Sequence, residues 1–340
     1  MLQSQIQKLV NWSLKEFSHL PWRKERTLYR TLVSEIMLQQ TNVSTVLNHF
    51  ERFIKEYPTV NDIARASEEQ LLISWKGLGY YRRARNLQKA CITICEQYGG
   101  EIPLDFDKLL TINGIGIYTA NAILAMGADR KALAVDANLE RIISRVYGID
   151  EEKGPKLQKV VVNKFSRGEI CQEMDAVGAR VYNEALMDLG RNYCQAKKAS
   201  CELCFLKNHC YASLNKSVDS LPRVIEKKKE SFELSLLRII VKKDDKYLVY
   251  KKNEKQWLSG QYEVPTFILD TEDETLNQYP FQEGEFWGLP TIKTAITKYK
   301  ITNYILWLNE EEFKKIGLKL DKYSYGNRNL STTSIKVINF

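Results

Sequence analysis

The sequence has no apolar run approaching the ~18 residues of a membrane span, so a helical membrane protein is not expected. Its amino terminus, MLQSQIQKLVNWSLKEF, alternates polar and apolar residues and lacks the apolar core of a secretory leader. A cytosolic protein is therefore expected, nucleoid-associated if bacterial. There is no internal repeat and no low-complexity tract, which sets aside solenoid and disordered classes. A dominant charge sign is also missing. Fifty Lys and Arg against 42 Asp and Glu leave a net charge of +8, which permits a polyanionic partner without demonstrating one. The seven cysteines are an odd count, and a reducing cytosol would not keep a disulfide framework. What is present is an ordinary globular mix, 44% hydrophobic and 27% charged over 340 residues, the length of about two domains.

Residues 1–210 read as mostly helical. Apolar residues recur at helical spacing, as in Leu71, Leu72, Trp75 and in Ile123, Leu124, Met126. Pro58, Gly77-Leu78-Gly79, Gly99-Gly100 with Pro103, and Gly114-Ile115-Gly116 punctuate these stretches. Residues 211–231 are charged and aperiodic, and read as a linker. Beyond them the pattern turns to strands. Leu234–Val241 and Tyr247–Tyr250 read as a β-hairpin, and Lys300–Leu308 as a further strand, so an α+β domain is expected over 232–340.

Four of the cysteines, Cys194, Cys201, Cys204 and Cys210, have the spacing C-x6-C-x2-C-x5-C and none follows them. Four thiolates within seventeen positions can converge on one metal centre if the chain loops around it. Four-cysteine zinc is the generic reading, and a [4Fe–4S] cluster uses the same ligands. The spacing alone leaves both open. Arg191, Lys197, Lys198 and Lys207 surround this loop and could contact phosphates.

Two carboxylates stand out. On a helical wheel Leu28, Leu32, Glu35, Ile36 and Gln39 share a face, so Glu35 is expected to be desolvated. Desolvation raises a carboxyl pKa and keeps a proton available near neutrality, as a general acid requires. Asp136 lies between an apolar run and Ala137-Asn-Leu-Glu-Arg-Ile-Ile143, where a helix N-cap belongs. Helix N–H groups there are expected to keep it ionised. One protonated and one charged carboxyl is the pairing that cleaves a glycosidic bond through an oxocarbenium-like transition state.

The glycines of Leu109-Leu-Thr-Ile-Asn-Gly114-Ile-Gly116 permit a sharp turn between two helices and leave N–H groups to seat a phosphate. This stretch resembles a helix-hairpin-helix element, which grips duplex DNA without reading bases. Taken with Pro21-Trp-Arg23, Ser34-Glu-Ile-Met-Leu-Gln-Gln-Thr41, Trp75-Lys-Gly-Leu-Gly-Tyr-Tyr81, Arg83-Ala-Arg-Asn-Leu87, Val135-Asp-Ala-Asn138, Tyr182-Asn-Glu-Ala-Leu-Met-Asp-Leu-Gly190 and the four cysteines, it resembles the MutY-type adenine DNA glycosylases of the endonuclease III superfamily.

The resemblance implies a multidomain protein. An all-α helix-hairpin-helix core, with a six-helix-barrel lobe and an iron–sulfur lobe, would occupy 1–210, and a C-terminal α+β Nudix-like domain 232–340. It implies a [4Fe–4S] cluster on Cys194, Cys201, Cys204 and Cys210, and removal of adenine mispaired with 8-oxoguanine or guanine from double-stranded DNA by a monomer. By the same resemblance Glu35 protonates N7 of the flipped adenine and Asp136 stabilises the cation at C1′. Tyr118 assists at the sugar and Asn138 supports Asp136. Glu184 orients the base against a wall of Trp22, Arg23 and Leu38. Gln40, Thr41 and Tyr80 probe the gap left in the duplex, and Gly114 and Gly116 hold the DNA backbone.

Tyr118 stands where the lyase branch of the superfamily has a Schiff-base lysine, so strand cleavage through that lysine is not expected. This argues against a bifunctional pyrimidine glycosylase–lyase. The presence of both carboxylates argues against a catalytically silent DNA-binding protein. In the C-terminal domain Gln256–Pro265 fits a family segment, but no Arg-Glu-x-x-Glu-Glu box is present, so no pyrophosphohydrolase activity is expected. The family's Phe-Ser-His lesion-reading loop aligns with Ile296-Thr297-Lys298, where Thr297 keeps a hydroxyl and its neighbours depart from the pattern.

Overall fold

The computed structural model describes residues 2–225, 230–284, 286, 288–315, 323–327 and 329–340. The chain forms two compact units, Met1–Glu226 and Lys227–Phe340.

The first unit is helical. At its centre lies the helix Leu28–Leu38, capped by Thr27, whose side chain accepts from the Arg30 N–H. Every residue from Arg30 to Met37 is buried, because the helices Val43–Glu56, Arg82–Tyr98 and Ile117–Ala122 pack around it. Enclosure on all sides is why its polar residues Arg30, Ser34 and Glu35 are found inside rather than on a solvent face. The stripes Leu71, Leu72, Trp75 and Ile123, Leu124, Met126 are likewise buried. The second of them lies within a π-helical turn, Ile123–Gly127, that periodicity did not indicate.

The hairpin Ile112–Gly116 joins the helices Phe106–Thr111 and Ile117–Ala122. Gly114 adopts φ +91°, and a Cβ there would sit 2.4 Å from the Asn86 carbonyl oxygen, so both backbone conformation and space require glycine.

Residues from Tyr211 onward, expected as linker, are partly built into this unit. Tyr211–Leu214 is helical, the Arg223 and Glu151–Lys153 backbones exchange hydrogen bonds, and Arg145 Nε donates to the Leu221 carbonyl at 2.9 Å. Main-chain pairing of this kind leaves no trace in side-chain periodicity. Residues 226–229, the charged end of that stretch, lie outside the described residues.

The second unit is built on a mixed sheet. Its strands are β1 Phe232–Lys243, β2 Lys246–Lys251, β3 Tyr262–Glu263, β4 Thr266–Thr271, β5 Thr291–Ile296, β6 Tyr299–Leu308 and β7 Ser324–Gly326. The order is β3-β2-β1-β6-β5, with β4 also on β1 and β7 on β2. β1 runs parallel to β6, from Phe232 opposite Tyr299 to Val241 opposite Leu308, and antiparallel to β2 and β4. Being central, β1 is buried continuously from Leu236 to Val241, whereas β6 alternates. The helix Thr332–Ile338 covers one face through Val337 and its neighbours. Both the expected hairpin and the expected strand at 300–308 are found.

Candidate active site

The central helix ends at an open cavity of about 620 Å³ lined by Trp22, Arg23, Arg26, Glu35, Leu38, Gln39, Gln40, Thr41, Tyr118, Met126, Asp136, Asn138, Glu184, Asp188 and Arg191 among others. Residues from five separate chain segments therefore meet here. Of those singled out in the sequence, Tyr80, Gly114 and Gly116 do not line it, and Thr297 belongs to the second unit, at the β5–β6 turn with φ 49°.

Glu35 is 6% exposed and accepts a hydrogen bond from the Tyr118 hydroxyl. Burial pushes its carboxyl up to about 7 against the pull of that hydroxyl, and the charges of Asp136 and Glu184 add to the rise. Tyr118 sits in the first turn of the helix that leaves the glycine hairpin, so the hairpin geometry delivers it to Glu35. The same surroundings hold the Tyr118 hydroxyl protonated.

Asp136 is the N-cap of the helix Ala137–Tyr147. Its Oδ1 accepts from the N–H groups of Asn138 at 2.9 Å and Leu139 at 2.8 Å, and its Oδ2 from Asn138 Nδ2 at 2.8 Å. Burial raises its pKa, outweighing those three hydrogen bonds and the Arg141 charge, which favour the ionised form expected of a cap. What separates the two carboxyls is therefore their partners more than their burial. Asp136 is surrounded by N–H donors that favour an anion, while Glu35 has one hydroxyl. Asn138 is in turn held by Arg141 Nη2 at 2.8 Å and by Gly190, where a Cβ would come within 2.6 Å of Asn138 Cβ.

On the opposite wall Glu184 pairs with both terminal nitrogens of Arg26, one of them at 3.0 Å, and lies 3.5 Å from Arg23 Nε. Arg23 Nη1 donates to Asp188 at 2.8 Å, as does the Ser13 hydroxyl at 2.6 Å. Sequence reasoning missed Arg26 and Asp188. Asp188 was detectable, being one helical turn from Glu184, but Arg26 carries no pattern that marks it.

A further missed residue is Arg83. Its guanidinium donates to the carbonyls of Ile36, Met37, Leu78 and Gly79 and to the Thr41 hydroxyl, all within 3.2 Å. It thereby ties the loop after the central helix to the loop 77–81. Gln40 and Tyr80, one in each loop, both adopt left-handed conformations (φ 56° and 45°) that non-glycine residues avoid. Tyr80 is 59% exposed, its ring 5.5 Å from the Arg83 guanidinium.

Cys194 follows the helix Ala179–Asn192, Cys201 and Cys204 bracket a 3-10 turn, and Cys210 precedes a short helix. All four thiols are free. Burial and then Cys194 raise Cys201, while burial, with Cys194, Cys210 and Cys201, pushes Cys204 up to about 11, so the four sulfurs lie within electrostatic reach of one another. Among the described residues no three His, Cys, Asp or Glu side chains are arranged to hold a single metal ion. Nor is any described helix long and apolar enough to cross a membrane.

Residues 33–165 match the HhH-GPD superfamily of base excision DNA repair proteins. The adenine DNA glycosylase of Buchnera aphidicola subsp. Schizaphis graminum is 32% identical over 272 residues, covering 79% of this chain and 76% of that protein. The human adenine DNA glycosylase is 34% identical over 213 residues, covering 60% of this chain and 38% of its own length. A thermostable thymine-DNA glycosylase superposes with a TM-score of 0.53 at 26% identity, over 63% of this chain and 95% of its own. A non-covalent endonuclease III–DNA complex gives 0.50 at 25%, over 64% and 98%.

Proposed function

We propose a mechanism for a chain that belongs to the adenine DNA glycosylase family, enzymes that hydrolyse N-glycosyl bonds in base excision repair and act on DNA. The substrate is duplex DNA in which adenine faces 8-oxoguanine or guanine. The adenosine leaves the stack, at a cost of a few kcal/mol that a mispair reduces, and enters the cavity at the end of the central helix. Glu35 donates its proton to N7, which turns adenine into a neutral leaving group. Asp136, anionic beneath its three N–H donors, faces the cation that grows at C1′ as the C1′–N9 bond breaks. Water then adds at C1′ and its proton leaves to solvent. Tyr118 keeps the Glu35 carboxyl oriented and lies beside the sugar. Asn138 fixes Asp136. Glu184 orients the base against Trp22, Arg23 and Leu38. Gln40 and Thr41, with Tyr80 on the companion loop, enter the gap left in the duplex, and the hairpin N–H groups around Gly114 and Gly116 hold the backbone.

The observation that carries this reading is the shared cavity of Glu35, held near neutrality by burial, and Asp136 at a helix N-terminus. Cys194, Cys201, Cys204 and Cys210 would hold a [4Fe–4S] cluster. Four free thiols gathered in one loop fit the four-thiolate ligand set of that group, which would brace the loop that follows the Glu184 helix. The second unit would be the Nudix-like domain that meets the opposite base, with Thr297 offering a hydroxyl from the β5–β6 turn.

The test is single-turnover excision from 8-oxoguanine:A, G:A and oxidised-pyrimidine duplexes, with and without hot alkali, at fixed salt. Adenine release with strand breaks only after alkali is expected. Borohydride trapping of a lysine adduct, or release of oxidised pyrimidine instead, would refute it.

A further inference from the structure

The charged side chains around the cavity differ in the hydrogen-bonding capacity they have left. Arg23 engages all three of its nitrogens, with Nη1 and Nη2 on Asp188 at 2.8 and 3.3 Å and Nε 3.5 Å from Glu184. Asp188 also holds Ser13 and Arg191 Nη2, the latter at 3.0 Å. Asp136 accepts three hydrogen bonds. Arg26 is different. It bonds only through its two terminal nitrogens, one to each oxygen of Glu184, and makes no other hydrogen bond among the described residues. Its side chain is 20% exposed and lines the cavity. A guanidinium carries five N–H donors, so Arg26 keeps donors free; Arg23 approaches Glu184 Oε2, while among the described residues Oε1 accepts from Arg26 alone and keeps a lone pair.

We propose that Arg26 and Glu184 act as one donor–acceptor edge that reads the Watson–Crick edge of adenine, which makes Arg26 a specificity-determining residue. The inference rests on the functional reading above and deepens it. Adenine presents an amino donor at N6 beside a ring acceptor at N1. A carboxylate oxygen beside a guanidinium N–H presents the complementary order. Hypoxanthine and guanine invert both positions, with a carbonyl at C6 and an N–H at N1, so each would face like against like. Cytosine carries the adenine order at N4 and N3 but has no N7 for Glu35. The dyad and the acid together therefore select adenine, one reading each edge of the purine. A site built on buried hydrogen-bond partners discriminates far more strongly than an apolar pocket, because the wrong base leaves those partners unpaired.

The experiment measures single-turnover excision of adenine, unsubstituted purine and hypoxanthine opposite 8-oxoguanine, for the full-length protein and its Arg26→Met and Arg26→Lys variants. Purine lacks the amino group but keeps N1, so it reports on Arg26 without Glu184. Arg26→Met is expected to slow adenine and purine alike by about tenfold or more, and to narrow the adenine-to-hypoxanthine ratio by about tenfold. Arg26→Lys, which keeps the charge and a donor, is expected to recover part of the purine rate. If Arg26 only holds Glu184 in place, Arg26→Met slows adenine and leaves purine at the wild-type rate, and the proposal is overturned. Should Arg26→Met fail to fold, the ratio in Arg26→Lys decides, and an unchanged ratio overturns it. Wild-type protein that releases no adenine would overturn the functional reading and the dyad with it. Wild-type release abolished by Glu35→Gln, with unaltered ratios in the Arg26 variants, would remove the dyad alone.

Discussion

Each unit buries a glutamate almost completely, and the two end in opposite states. Glu263, in the second unit, is 1% exposed. Burial alone would raise its pKa, but Arg238 at 2.6 Å and Lys252 outweigh that, and the carboxyl lies below its ordinary range. Tyr279 and Thr266 complete the cluster, the first donating to Glu263 at 3.0 Å and the second bonding Arg238 at 2.8 Å. Among the described residues Glu35 has no ion pair; its carboxyl accepts from the Tyr118 hydroxyl beside an open cavity and stays protonated to about 7. Burial sets the size of the electrostatic stakes; the partner decides which protonation state wins. The closed cluster joins strands together, and the one beside open space is left free to react.

The sharpest way to break this contrast is Glu35→Gln, which keeps shape and removes the acidic proton. Excision should fall by about a thousandfold, near 4 kcal/mol of barrier. Duplex affinity should change little in a binding titration, and a fully active variant would take the acid out of the mechanism. Arg238→Met attacks the other side. It leaves Glu263 buried with a single cation, and should cost the second unit about 3 kcal/mol, read as a lower Tm by calorimetry.

A pH series separates the two units without mutation. Glu35 has a raised folded pKa, so its contribution to stability is complete below the ordinary value of 4.5 and is lost as pH rises through about 7. Excision should fall over the same upper range, by about tenfold per pH unit once Glu35 is ionised. Glu263 has a lowered pKa, so its contribution is present above about 4.5 and is lost as pH falls below that. Acid should therefore loosen the second unit while the proposed acid of the first remains loaded. The smallest expected effect is that of Tyr118→Phe. The hydroxyl opposes the rise in the Glu35 pKa, so its loss should move the alkaline limb of the excision profile to higher pH, by less than about one unit. A limb displaced to lower pH would contradict the hydrogen bond seen here.

Much of the first unit was legible because its signals are local. An N-cap is read from Asp136 and the helix after it, a tight turn from Gly114, and a buried face from the spacing of Leu28, Leu32 and Ile36. In the second unit β6 was legible through its alternation, and the hairpin of β1 and β2 through the charged turn between Val241 and Tyr247. What was not legible depends on residues far apart in the chain. Arg26 matters only because Glu184, 158 positions on, comes to meet it. Arg83 is an ordinary helix residue until two loops close over it. The rise in the Asp136 pKa was not legible from its cap position, because the cap is a local feature and the burial that works against it comes from the whole cavity.

The sequence by itself determined which side chains could do the chemistry and where helices, hairpin and strands begin, since caps, glycines and periodicity act within a few residues. Only the tertiary structure decided which of those side chains face one another, which are saturated and which keep a free proton or donor. Those properties depend on desolvation and on distances of about 3 Å between distant segments, and no local pattern encodes them.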